Sequence, residues 1–227
     1  MTGGPSRRAA LLGVLGAVWL AGCDRAPKVR ATPLAAGSTV LALGDSLTSG
    51  TGASPDTAYP AVLAPLLVIE GVLGLARLTG WQVVNAGVSG DTAAQALARL
   101  PALLAEHQPK LVIVSVGGND FLRQLPEEAT RANVRALCQQ SLAAGAQVLL
   151  VAVPRASVAA ALGQLTDHKL YAEIAQELKI PLQREGWSEV LAQDDLRSDR
   201  IHANARGYEQ FARSLRGTAV AVGLLAG

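Results

Sequence analysis

At 227 residues, with half of them hydrophobic and only 17% charged, the chain can bury one sizeable core, which excludes an intrinsically disordered protein. The formal net charge is +2, and without Arg7 and Arg8 the remaining 18 Lys and Arg balance 18 Asp and Glu, so no basic face for nucleic acid is implied. Two cysteines, Cys23 and Cys138, stand in unlike contexts that do not favour a disulfide, and no Cys/His cluster has metal-ligand spacing.

Residues 1–22 read as an export signal. Arg7-Arg8 precede an apolar run from Ala9 to Leu20, and small residues follow. The run is short for a membrane-spanning helix. Leu20-Ala21-Gly22-Cys23 resembles the lipobox of bacterial lipoproteins, and that resemblance implies cleavage before Cys23 and lipidation of its thiol. A plain signal peptide with an incidental cysteine is the simpler alternative. Residues 23–38, with Pro27 and Pro33 and no apolar periodicity, are expected to form a linker from the lipidated Cys23 to a single domain over residues 39–227. The chain is therefore expected in the bacterial periplasm or cell envelope, touching the membrane only through its anchor.

Thr39–Leu43 is a continuous apolar run of the kind buried in parallel sheets, and it stops at Gly44-Asp45-Ser46-Leu47. Tyr59–Val68 predicts a helix, with Pro60 in its first turn and Pro65 as a kink or second start. Residues 66–78 are unusually apolar and predict either a core helix or a greasy wall beside an acyl groove. Trp81–Val84 predicts a second strand. Asp91 or Thr92 would cap a helix running to His107, with Gly90 near its N-terminus.

Leu111–Val116 predicts a third strand, leaving through Gly117-Gly118-Asn119-Asp120. A helix over Pro126–Ala144 and a strand over Gln147–Val153 follow, then a variable segment over 155–166. A helix over 167–178, a short strand over Ile180–Gln183, a loop over Asp194–His202 and a helix over Asn204–Val222 complete the chain. Strands alternating with helices predict a parallel sheet covered on both faces, a three-layer α/β/α fold.

Ligands of open α/β sheets bind at the C-terminal ends of the strands. Three of the turns expected there carry Ser46, Gly90 and Asn119, and the last loop carries Asp199 and His202. A serine hydroxyl needs a base and donors for the oxyanion it creates. His202 would take the Ser46 proton and return it to the leaving group. Asp199 would hold the imidazole. The Ser46 and Gly90 N–H groups and the Asn119 amide would bind the oxyanion, in triad order Ser…Asp…His. Asp45 and Asp91 read as structural carboxylates, His107 as an exposed helix end, His168 as a helix start and Cys138 as a buried thiol.

Gly44-Asp45-Ser46-Leu47, Gly87-Val88-Ser89-Gly90-Asp91, Gly117-Gly118-Asn119-Asp120 and Asp199-x-x-His202 together resemble the four blocks of the SGNH hydrolase, or GDSL esterase, superfamily. The nearest subgroup is the bacterial thioesterase I/lysophospholipase L1/arylesterase type. The resemblance covers residues 39 to the end. It implies a flavodoxin-like five-stranded sheet of order 2-1-3-4-5, hydrolysis of small-molecule acyl esters or thioesters through an acyl-enzyme, and no metal or organic cofactor. It leaves oligomeric state open. Two features depart from the family. The span between the first two blocks is longer, and the residue after the histidine is Ala203, where proline is common, which is expected to loosen that loop. A carbohydrate O-deacetylase is the alternative enzyme, and a non-catalytic lipid- or glycan-binding surface lipoprotein the alternative of another class.

Overall fold

Five strands pair in parallel in the order β2-β1-β3-β4-β5. They are β1 Thr39–Gly44, β2 Gln82–Gly87, β3 Leu111–Ser115, β4 Gln147–Val151 and β5 Leu182–Gln183. The computed structural model describes Met1 and residues 29–67, 81–155 and 165–225. The export signal, Cys23, the apolar stretch beyond Leu67 and the variable segment over 156–164 lie outside the described residues.

Apart from Thr39, Ser115 and Gln147 at their ends, the central strands are apolar because both faces are covered. Val40, Ala42, Leu111, Ile113, Leu149 and Val151 point to one core. Leu41, Leu43, Val112, Val114, Val148 and Leu150 alternate with them and point to the other. The first face is closed by Tyr59–Leu66, Gly186–Leu191 and the long C-terminal helix Ala205–Val222. At its centre Trp187 stacks on Phe211 at 3.6 Å, and its Nε1 donates to Ser115 Oγ at 3.1 Å. Helices Ala93–His107, Glu127–Ala143 and Lys169–Leu178 close the second face. Cys138 is fully buried there, and burial pushes its thiol up to about 12, which leaves it inert.

Element boundaries follow their local chemistry. Thr92 caps its helix through a capping box with Gln95, and Asn204 caps the C-terminal helix by accepting from the Gly207 N–H. Pro65 falls in the last turn of its helix, which ends at Leu66. β2 is longer than expected. It continues to Gly87 because Asn85, Ala86 and Gly87 pair with Ala42, Leu43 and Gly44.

The segment expected as a linker is partly docked. Ala31 N–H donates to Val222 O, Leu34 N–H to Leu224 O, and Thr32 exchanges two hydrogen bonds with the Gln147 side chain. Leu34 is buried in the first core. The folded unit therefore begins at least as early as Ala31. A single apolar residue anchored by backbone bonds has no periodicity from which sequence could have located it.

Candidate active site

β1 ends where Asp45 turns the chain into a one-turn helix, Ser46–Ser49. Asp45 Oδ1 accepts from the Leu47 N–H at 3.1 Å, and Gly50 closes the turn with a left-handed backbone. This helix packs so tightly that a Cβ on Gly44 would overlap Thr48 Oγ1 and the Ser115 carbonyl. Ser46 is thus fixed by backbone, half-buried, at the C-terminal edge of the sheet.

The loop Ser198–Asn204 brings the other two groups. Asp199 Oδ1 accepts from the N–H groups of Ile201 and His202, both at 2.8 Å. Its Oδ2 lies 2.7 Å from His202 Nδ1, and His202 Nε2 lies 3.1 Å from Ser46 Oγ. An ionised carboxylate only accepts, so Nδ1 carries the proton and Nε2 is left to accept from the serine. Partial burial pushes Asp199 up, but the bonds from His202 and Ile201 outweigh it and hold its carboxyl below the ordinary value. The loop is not loosened at Ala203. That residue is fully buried, and Ser198 binds the loop to itself through the carbonyls of His202 and Ala203.

Gly90 stands at the tip of a turn in which the Asp91 N–H donates to Val88 O. Its φ of 88° suits glycine, and its carbonyl is held by Arg123 Nη2 at 2.8 Å. Asn119 lies in the first turn of the short helix Gly118–Leu122, and its Nδ2 donates to Asp91 O at 3.0 Å. That bond occupies one amide proton and leaves the other for a ligand. Among the described residues neither the Ser46 nor the Gly90 N–H has a protein acceptor. All five residues singled out from the sequence for chemistry therefore lie on the segments that cross one sheet edge. Ser46, His202 and Asp199 form one hydrogen-bonded chain, and Gly90 and Asn119 are joined through Asp91.

Several supporting residues carried no sequence signal of their own. Asp120, beside Asn119, is buried and accepts from the Ala93 N–H and Thr130 Oγ1, so it braces the helix after Gly90 against the helix after Asn119. Phe121 stacks on His168, which caps the helix Lys169–Leu178 and is buried. His107 closes its helix half-buried rather than exposed. Among the described residues no group of three His, Cys, Asp or Glu could hold a metal ion.

Asp45 is the one carboxyl here with a large upward shift. Burial pushes it from the ordinary 3.8 to about 7, against the Leu47 N–H that favours its charge. Between those two values the folded chain binds more protons at Asp45 than the unfolded chain, so this group's contribution to stability falls as pH rises across that window. Asp45→Asn keeps an acceptor for Leu47 and removes the titration. Urea unfolding at pH 5 and pH 8 is expected to show the variant gaining stability relative to wild type at the higher pH.

A parallel sheet of this order, with its polar site at the strands' C-terminal ends, is an SGNH-hydrolase-like fold. The chain belongs to the GDSL-like lipase/acylhydrolase family, whose model matches residues 42–210. It is 40% identical over 137 residues to Esterase TesA of Pseudomonas aeruginosa, across 60% of this chain and 64% of that protein, so this match spans just under two thirds of that relative. It is 37% identical over 175 residues to the thioesterase 1/protease 1/lysophospholipase L1 of Escherichia coli (strain K12), across 75% of this chain and 77% of that one. The crystal structure of TesA superposes with a TM-score of 0.69 at 30% identity, over 81% of this chain and 99% of that chain. The SGNH-hydrolase family esterase AlinE4 superposes with a TM-score of 0.60 at 29% identity, over 83% and 97%.

Proposed function

We propose that this chain is an exported serine esterase that hydrolyses small acyl esters or thioesters through an acyl-enzyme on Ser46. The observation that carries this reading is the position of His202, whose two ring nitrogens meet Ser46 Oγ and Asp199 Oδ2. Ser46 Oγ attacks the substrate carbonyl carbon while its proton passes to His202 Nε2. The carbonyl oxygen becomes an oxyanion, taken by the Ser46 and Gly90 N–H groups and the free Asn119 amide proton. His202 then protonates the departing alcohol or thiol. A water molecule, deprotonated by His202 in turn, releases the acid and restores Ser46. Asp199 keeps the proton on Nδ1 and stabilises the imidazolium.

The names of the relatives support the substrate class, since they include an esterase, a thioesterase/lysophospholipase and an arylesterase of Vibrio mimicus. The surface also favours acyl substrates. Val88, Leu122, Leu125 and Ile201 are large apolar side chains left exposed, and each lies on or directly beside a site loop. The test is a series of p-nitrophenyl esters from acetate to palmitate, beside palmitoyl-CoA and a lysophospholipid. Turnover of the aryl esters is expected, and no turnover of any of these substrates would contradict the assignment.

Export and tethering complete the proposal. Residues 1–22 direct the chain out of the cytoplasm and Cys23 carries the lipid, which places the enzyme in the cell envelope. Among the described residues no helix is long and apolar enough to cross a membrane. Metabolic labelling with palmitate is expected to mark the wild type and leave Cys23→Ser unlabelled. A wild type that takes up no label would sink the lipid anchor.

A further inference from the structure

The geometry points to Arg99 as a positioning residue that registers the Ser46 turn against the oxyanion loop. Arg99 lies in the second turn of the helix Ala93–His107, and only 24% of its side chain is exposed. Its Nε donates to Asp91 Oδ2 at 2.8 Å, and its Nη2 donates to Gly44 O at 2.9 Å. These two donors share one edge of a planar, permanently charged group, so the two acceptors are held at a fixed separation. Asp91 is itself mostly covered, which shields the pair from solvent screening.

The two acceptors sit on the backbone that carries the chemistry. Gly44 ends β1 two residues before Ser46, and its carbonyl also accepts from the Val88 N–H at 3.1 Å, so two donors converge on it. Asp91 directly follows Gly90, and its carbonyl accepts from Asn119 Nδ2 at 3.0 Å. One guanidinium therefore ties together the three segments that present the Ser46 N–H, the Gly90 N–H and the Asn119 amide. Arg123 holds the Gly90 carbonyl from the exposed side, whereas Arg99 holds the same loop from within.

The kinetic consequence is specific. Oxyanion donors act on a charge that exists only in the transition state, so a loss of register lowers kcat and leaves ground-state binding nearly unchanged. A misplacement of about 1 Å can cost roughly 10²-fold. A lysine has one point-like ammonium in place of two donors at a fixed separation, so Arg99→Lys retains the charge and loses the registration.

This inference rests on Ser46 being the nucleophile, and the test separates the two claims. The full chain and its R99A and R99K variants are assayed with p-nitrophenyl butyrate, with an alkylboronic acid as a mimic of the tetrahedral oxyanion, and with a fluorophosphonate that labels an activated serine. In R99A, kcat is expected to fall by about 10- to 100-fold while KM stays within about threefold. Boronate affinity should fall by a similar factor. R99K should recover little, and millimolar guanidinium added to R99A should restore part of kcat. An active wild type beside an R99A variant of unchanged kcat would overturn the inference alone. So would a loss fully accounted for by the unfolded fraction, measured by circular dichroism, and unanswered by guanidinium. A wild type with neither ester turnover nor phosphonate labelling of Ser46 would overturn the nucleophile reading, and the inference with it.

Discussion

Ser46→Ala is expected to lower kcat on p-nitrophenyl butyrate by on the order of 10⁶-fold, the scale seen when the serine of a hydrolytic triad is removed. Among the described residues Ser46 Oγ hydrogen-bonds to His202 Nε2 alone, while the turn that holds it is built from Asp45, Leu47 and the backbone to Gly50. The substitution therefore deletes the reacting atom without touching the cap. Alanine fits a helical position at least as well as serine. The thermal midpoint should move by no more than about 2 °C, as for a substitution outside the core. Steady-state rates and a thermal unfolding curve on the same preparation separate this result from misfolding.

Asn119→Ala is expected to lower kcat by roughly 10²–10³-fold, the cost of one oxyanion donor. The loss should fall on kcat more than on KM, because the side chain meets a charge that develops only as the carbonyl is attacked. A second, smaller effect follows from the structure. Asn119 Nδ2 also donates to Asp91 O, so the variant loses a link between two site loops and about 1 kcal/mol of stability. Denaturant unfolding reads the second effect, and kinetics on an activated ester read the first. A variant that lost only stability would make Asn119 a turn former and nothing more.

Ser46 and Asn119 are both legible in the sequence, and the reason is physical. Apolar runs such as Val40–Leu43 and Leu111–Val114 stop at polar, glycine-rich turns, and in a parallel sheet those turns share one edge. The type of residue at each turn then suggests its chemistry. The linear pattern was silent on support at a distance. Asp91 and Arg99 are eight residues apart, and only the direction of the helix between them brings the guanidinium back to the end of β1. Asp120 reads as part of a turn until its two acceptor bonds are seen.

Short elements were also hidden. Ser46–Ser49 and Gly118–Leu122 are four and five residues long, too few to display a helical period. Both nevertheless aim the side chains that matter. Asn85-Ala86-Gly87 has the composition of a turn, yet it continues β2 because β1 offers it a ladder as far as Gly44. Ala31 to Leu34 were expected to be a tether for the same kind of reason. Their partners, Val222, Leu224 and Gln147, are more than 110 residues away in sequence, and no local pattern encodes such a contact.

In the proposed mechanism the Ser46 hydroxyl, activated by His202 and Asp199, forms the covalent intermediate. Peptide mapping by mass spectrometry after reaction with a fluorophosphonate tests it most directly. One adduct per chain is expected, on the peptide carrying Ser46, abolished in Ser46→Ala and greatly slowed in His202→Ala. An adduct on another residue accompanied by loss of esterase activity, or full activity retained after Ser46 is modified, would contradict it.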